Sequence, residues 1–414
     1  MDQTLRKLND LALAYGEKHL SPQTHYIHLK YHALEDEEQH TIAIVENFLF
    51  VLALFQTRMA GNIARGKAHL EKLLFFQQED GNFPLYLHEY PKGSDYYTAA
   101  RLLAPIYWIL HGFSSVLGDQ LRSRLENSLK KLADYCRQLM KEKKPPFLMR
   151  VQMAAGLYAT AKLFNESELE KEGLLFLEEF KVLPKEAFSP EALSILMVAS
   201  QMVHQELSKS FFKGFLEYLL KTWDKRLSAY VGPCLFELQA GFEPESCLYD
   251  LFMGYMTEAF SKRAKKPAAF HLQAALIREM PLTITEAEKK SLHSYVGEIQ
   301  DRSFLVLQNE EYSFSFLEQK EPLSFPKDYG FSPFRLKWGT KERLHTLSIE
   351  GGNCKKITAF AKENVFEFLF YLNALPEIED KEKSREVIFY LDLSDDFAIS
   401  IDGIRATVFQ LGDV

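Results

Sequence analysis

Cysteine is scarce in this chain of 414 residues. Only Cys136, Cys234, Cys247 and Cys354 are present, with no CxxC pair and no dense spacing. That excludes a disulfide scaffold and predicts a reducing compartment, with the cytoplasm as the default location. Long apolar runs are missing too. The greasiest stretch, Ile42 to Phe55, is short for a membrane span and carries Glu46 and Asn47. The N-terminal MDQTLRKLNDLALAYGEKHL alternates charged and apolar residues and lacks the continuous apolar core of a secretory signal. Excess charge is small and dispersed: 49 basic against 57 acidic residues, a net charge of -8, gives no bulk attraction for nucleic acid. There is no GxxxxGK[ST], no GxGxxG after a strand and no GxSxG, so phosphate-loop, dinucleotide and serine-hydrolase chemistries have no motif, and no cofactor is expected.

What is present is ordinary globular composition, 47% hydrophobic and 26% charged, in a chain long enough for two domains. Residues 3 to about 280 read as helical. Leu121, Leu125, Leu129, Leu132 and Cys136 mark one face of an amphipathic helix over 118–142, and 166–181 is of the same kind. Residues 42–56, 147–164 and 191–204 are apolar nearly all round, as in helices buried on every side. Ser189-Pro190-Glu191 supplies an N-cap, a first-turn proline and an acid at the positive helix end. Half-exposed helices alternating with engulfed ones predict an inner ring wrapped by an outer ring, an α/α toroid, complete or partial; a stacked helical solenoid is the competing arrangement.

Near residue 293 the period changes. Tyr312, Phe314 and Phe316 alternate with Ser313 and Ser315, which is strand spacing. Asp402-Gly403 between two β-rich arms predicts a hairpin turn. The expected division is a helical domain over 1–290 and an antiparallel β-sandwich domain over 291–414. The sequence stops at Val414 directly after that hairpin, so further strands are expected beyond it.

The segment QQEDGNFPLYLHEYPKGSDYYTAA, residues 77 to 100, is too aromatic for an inert connector and too rich in Gly and Pro for helix. Gly81 and Pro84 end one helix, and Ser94 or Asp95 can cap the next. The loop between is expected on a rim of the helical body. There Phe83, Tyr86 and Tyr90 offer flat faces to a sugar, while Asp80, Asn82 and Glu89 offer hydrogen bonds. A second segment, residues 228 to 252, repeats the design with Tyr230, Glu237 and Tyr249. The two loops are expected to flank one cleft, or else to cover the ring edge with their aromatics. Glu46 and Asn47 interrupt an apolar helix and either face substrate in the ring or form a structural pair, for Glu46 with Arg58 or Arg150. His25, His28 and His32 would share a helix face, but no zinc signature accompanies them. A solvated or core-packed trio is the expectation, with no metal.

The order of helical toroid then β-domain resembles heparinase II/III-like and related polysaccharide lyases. FQQEDGNFP is similar to the inter-helix loop of sugar-processing toroids. LHTLSIEGG is similar to a lyase strand motif, of which His345, Leu347 and Ser348 are present and the second histidine and the aspartate are absent. The resemblance implies a carbohydrate-active protein acting on an acidic oligosaccharide or polysaccharide by β-elimination. Such chemistry needs a base, a carboxylate neutraliser and an acid, for which His88, Tyr96, Tyr97, Arg101 and Tyr249 are the candidates. A non-catalytic interaction or sugar-binding protein is the first alternative. A glycoside hydrolase is the second, drawing on Asp80, Glu89, Asp95, Glu46 and Glu237. No oligomeric state follows from the sequence.

Overall fold

The computed structural model describes residues 3–32, 38–143, 145–180, 189–203, 218, 220–238, 246–258, 268–278, 294–299, 302–321, 329–351, 354–362, 365–372, 388–391, 400–401 and 404–405. Helices come first: α1 (Gln3–His19), α2 (Ile44–Gln56), α3 (Ala60–Leu73), α4 (Thr98–Leu117), α5 (Asp119–Glu142), α6 (Phe147–Phe164), α7 (Ser167–Glu178), α8 (Pro190–Met202) and α9 (Leu248–Thr257), then a 3-10 helix over Ala269–Leu276. Among the described residues, no helix is long and apolar enough to cross a membrane.

The two expected kinds of helix are present, and each follows from its pattern. In α2, every residue from Asn47 to Gln56 is buried. In α5 only one stripe is, through Leu121, Leu125, Leu129, Leu132 and Cys136. Ser189 caps α8 by accepting from the Ala192 amide at 3.0 Å, with Pro190 at the first turn. Asn165 ends α6 in the left-handed region, φ 58°. The engulfed helices pack in succession. α2 lies on α4, α4 on α6, α6 on α8, α8 on α9, α9 on the 3-10 helix, and that helix again on α2. The amphipathic helices α3, α5 and α7 each pack on their chain neighbours α2, α4 and α6. Close approach requires Gly156: a Cβ there would come within 2.5 Å of the Leu103 side chain.

The helical stretch also contains strands that the 3.6-residue reading missed. β1 (Leu29–His32) pairs antiparallel with β2 (Glu38–Thr41). His25 and His28 sit in the turn before β1, and His32 ends β1, so the three histidines do not share a helix face. Ser21-Pro22 stops α1, and the alternation Ile27, Leu29, Tyr31 suits a strand. β3 (Trp223–Asp224) pairs with β4 (Ala229–Tyr230), and β5 (Cys234–Leu238) leaves the helices altogether.

Later in the chain lies an antiparallel sheet. β6 (Ser294–Ile299), β7 (Arg302–Gln308), β8 (Tyr312–Leu317), β9 (Tyr329–Gly339) and β10 (Leu344–Gly351) pair in sequence, and β13 (Ile388–Leu391) adds beyond β10. β5 pairs with the first half of β9, Cys234 opposite Ser332, while β8 pairs with its second half, Phe314 opposite Leu336. The hairpin of β11 (Cys354–Lys362) and β12 (Val365–Leu372) forms a second layer. Phe314, Phe316, Phe334 and Ile349 of the large sheet meet Cys354, Ile357, Phe368 and Phe370 of the hairpin. β14 (Ser400–Ile401) pairs with β15 (Ile404–Arg405) around the Asp402-Gly403 position, as the turn signal requires.

The opposite face of the large sheet packs on the helical stretch: its Phe304, Val306, Leu317 and Phe331 join the main core, and its polar residues are fastened there by hydrogen bonds. Ser313 donates to the buried carboxylate of Asp224, and Ser315 to the Val231 carbonyl. Gln308 donates to the Trp223 carbonyl at 3.0 Å, and Arg226 to that of Gly339 at 2.9 Å. Buried polar groups demand partners, and these bonds fix which strand meets which turn.

Candidate functional site at the helix amino termini

The loop after α3 is built by its own polar residues. α3 gives way to a 3-10 turn over Leu74–Phe76, and Gly81 turns the chain at φ 101°. A Cβ at Gly81 would lie 2.5 Å from the Lys131 carbonyl oxygen, so glycine is needed there for space as well as φ. Gln77 donates to the carbonyls of Gly81 and Ser128, tying the loop to α5. Phe83 is fully buried and meets Phe48 of α2 edge-on at 5.5 Å.

Three of the expected substrate-binding groups hold this loop together. The side chain of Asn82 donates to the Asp95 carbonyl at 2.9 Å and accepts from the Ala99 amide at 2.9 Å. It therefore caps α4 from 17 residues upstream. Glu89 accepts from the amides of Leu85 and Tyr86 and from the Ser94 hydroxyl. Asp80 accepts from the Asn82 amide. Asp95 accepts from the Tyr97 amide at 2.8 Å, from the Thr98 hydroxyl at 3.2 Å and from Arg101 at 2.8 Å. Carboxylates at the head of α4 also face the positive end of its dipole.

Arg101, in the first turn of α4, links this loop to α2. Its charge also reaches Glu46 in the first turn of α2. Burial raises the Glu46 pKa above the usual carboxylate range; a hydrogen bond to its own backbone and the Arg101 charge oppose that rise. Among the described residues no ion pair joins Glu46 to Arg58 or Arg150, the expected partners; Arg150 lies 3.7 Å from Glu179 and Arg101 is ion-paired with Asp95. Asn47 has structural work. It accepts from the Ile27 amide at 2.8 Å and from His69 at 3.0 Å, and donates to the carbonyls of Ile27 and Ala43.

Around this frame stand the aromatics. Tyr96 is 56% exposed, and the Lys143 ammonium at the end of α5 lies 3.9 Å from its ring centroid. Tyr97 is half-buried at the head of α4. Tyr135 of α5 is close enough to Asp80, Asp95 and Tyr96 for their charges to add to burial, the larger cause, which together push its phenol up to about 12. Tyr86 stacks on His88 with rings 5.7 Å apart, and His88 Nδ1 lies 3.2 Å from the Thr41 hydroxyl. Tyr90 turns elsewhere, against Phe75 and Phe76. Tyr135 and Lys143 were missed in the sequence because they come from α5, where they read as ordinary members of a solvated helix.

The second segment is arranged differently. Tyr230 donates to the Pro233 carbonyl at 2.6 Å and lies 3.2 Å from the Tyr218 hydroxyl. Tyr249, expected as a catalytic group, is fully buried. Its hydroxyl lies 3.3 Å from that of Thr222, and its ring meets Trp223 and Tyr230 edge-on. Burial raises all three phenols far above the ordinary tyrosine range. Ser194 of α8 accepts from the Tyr249 amide at 2.9 Å and fixes the start of α9. The Glu237 backbone pairs with Gly330, and its side chain lies outside the described residues. Hydrogen bonds and ring contacts of the first loop run to α2, α4, α5 and β2; those of the second run to α8, Thr222 and the sheet.

His28 bonds to the Thr24 hydroxyl at 2.8 Å, and the His32 side chain lies outside the described residues. Among the described residues, no three His, Cys, Asp or Glu side chains gather so as to hold a metal ion.

In fold class the chain is helical first and antiparallel β afterwards. No family model matches the sequence, and no curated protein matches it. Among solved structures, heparan sulfate lyase HepC from Pedobacter heparinus is similar to it at 9% identity and a TM-score of 0.32, over 85% of this chain and 69% of that one. A likeness so distant leaves function to be argued from the residues themselves.

Proposed function

We propose that this is a carbohydrate-active protein that binds an acidic oligosaccharide or polysaccharide where α2 and α4 begin. The body is read as an α/α toroid over 1–290 followed by a β-sandwich domain over 291–414. The succession α2, α4, α6, α8, α9, 3-10 helix and back to α2 supports a closed inner ring. In this reading the first domain lends β5 to the sheet of the second, through its pairing with β9.

One observation carries the binding reading. An exposed tyrosine, Tyr96, stands in a group with Lys143, Arg101, Tyr97 and Tyr135. Ring faces stack on the apolar side of a pyranose, and the cations suit its carboxylate or sulfate groups. In the catalytic form of this reading, Arg101 neutralises the uronate carboxylate and His88, through Nε2, takes the proton α to it. The C–O bond to the leaving sugar breaks as the ring double bond forms. Tyr135, which like any phenol holds its proton at neutral pH, supplies that proton to the leaving oxygen. Tyr249 has no part, being enclosed.

A non-catalytic sugar-binding protein is the second reading. It is favoured by the capture of Asp80, Asn82, Glu89 and Asp95 in backbone bonds. The same capture weakens the hydrolase reading, which needs two carboxylates free to act. Incubation with heparan sulfate, chondroitin sulfate, hyaluronan and alginate separates the readings. Elimination yields the ultraviolet absorbance of an unsaturated uronate, and Arg101→Ala abolishes it. Binding by calorimetry without that absorbance leaves the sugar-binding protein. Neither signal from any of the four rejects the carbohydrate proposal.

A further inference from the structure

A second aromatic group lies outside that cluster, and the first loop reaches it through Tyr90. Phe75 is 66% exposed, a costly position for a phenylalanine with no role. Its ring centroid is 5.7 Å from that of Tyr90 and 5.5 Å from that of Phe76. Phe76 meets Tyr90 edge-on at 5.5 Å and Tyr26 at 6.4 Å. Tyr26 in turn packs on His69, which packs on Phe50 in the core. The rings therefore form a continuous row from the interior to the surface, drawn from four separate stretches of chain. Being anchored, they keep their orientation before any ligand arrives.

Lys72, three residues before Phe75, is an exposed cation beside this row, and the carboxylate of its neighbour Glu71 is engaged by Arg124 at 3.1 Å. At the inner end of the row, Lys72, Arg65 and His25 lie near enough to act on His69. Arg65 is engaged by Glu17 at 2.7 Å; Lys72 and His25 are exposed. The patch has aromatic rings and cations in place of the aliphatic side chains that fill most protein contacts. Ring faces beside cations suit a sugar chain bearing carboxylates or sulfates, not an apolar partner.

We propose that Phe75, Tyr90, Phe76 and Tyr26, flanked by Lys72 and His25, form an outer subsite for an acidic glycan, separate from the Tyr96–Arg101 group. The inference rests on the acidic-glycan reading and deepens it. The first group engages the sugar units nearest the helix ends, and this platform holds a more distant part of the same chain. Only a long ligand spans both.

The test compares long heparin chains with a heparin tetrasaccharide by calorimetry on the full-length protein. Phe75→Ala and Lys72→Glu each weaken binding of the long chains by about tenfold, the equivalent of ~1.4 kcal/mol, and leave the tetrasaccharide as it was. Arg101→Ala weakens both ligands. Both surface variants keep the wild-type circular dichroism spectrum, since neither side chain is buried. Long chains bound by Phe75→Ala as tightly as by wild type overturn the outer subsite and leave the first site standing. Wild-type protein that binds neither ligand sinks the acidic-glycan reading and the subsite with it. A change in sedimentation of Phe75→Ala with heparin binding intact makes the patch a protein contact and also rejects the subsite.

Discussion

Residues 77–100 and 228–252 are near copies in pattern and opposites in the folded chain. Each has Gly and Pro after a helix, an aromatic arm with an acid, and tyrosine at the start of the next helix. In the first, Tyr96 faces solvent and the acids are bound to backbone amides. In the second, Tyr230 and Tyr249 are closed in with Tyr218 and Trp223. The difference comes from what covers each segment. α8 and strand β9 lie against the second through Ser194 and β5, whereas the first is gripped from beneath by α2, α4 and α5. A residue pattern therefore states what a loop can offer, and tertiary neighbours decide whether it is offered to solvent.

The largest break between the regions is in stability. Tyr249→Ala empties a fully buried aromatic site and is expected to cost about 4 kcal/mol, seen as a lowered denaturation midpoint. The same region is the alkali-sensitive one. The folded pKa values of Tyr218, Tyr230 and Tyr249 are raised, so their contribution is whole below pH 10.0 and is lost as pH climbs beyond it. An ultraviolet titration is expected to show these phenols ionising only together with unfolding. Early, reversible ionisation of every tyrosine in the chain contradicts the enclosed nest.

Acid acts on the other side of the comparison. His69 beneath the first region has its pKa lowered from 6.5 to about 4, by burial first and then by Lys72, Arg65 and His25. A depressed folded value means that the unfolded chain takes up the proton first as pH falls. The stabilisation is complete above pH 6.5 and declines towards pH 4, by roughly 3 kcal/mol in all. Denaturant melts at steps across this window check it, and His69→Gln removes that part of the slope. A slope unchanged in the variant assigns the acid sensitivity to other groups.

How much of this was legible depended on distance along the chain. The apolar helix over 147–164 and the Ser189-Pro190 start are local signals, and the structure follows both. The cap that Asn82 places on α4 joins positions 17 residues apart, so no nearby pattern announces it. Tyr135 and Lys143 look like any solvated helix residues until α5 folds back beside Tyr96. The pairing of β5 with β9 spans the two halves of the chain and leaves no mark on either strand. His25, His28 and His32 failed as a helix face because strand-favouring alternation outweighed their 3.6-residue spacing.

A middle-sized effect probes that long-range cap. Asn82→Ala leaves the Ala99 amide and the Asp95 carbonyl without their bonds, which is expected to cost about 2 kcal/mol and to loosen the head of α4. Hydrogen exchange should rise at Ala99 and its neighbours while α9 stays protected. Equal loosening at both helix starts shows that the two regions are not supported separately.

The smallest stability effect is the sharpest functional test. Tyr96 is 56% exposed and its ring faces the Lys143 ammonium, so Tyr96→Ala removes little buried surface. Its stability is expected to stay within about 0.5 kcal/mol of wild type. Tyr249→Ala makes the reverse trade, losing stability through a group that no sugar can reach. Glycan affinity is expected to fall for Tyr96→Ala at unchanged stability, measured by calorimetry and melting on the same preparations. Should Tyr96→Ala bind as wild type does, exposure in the first region is incidental, and the difference between the two segments concerns packing alone.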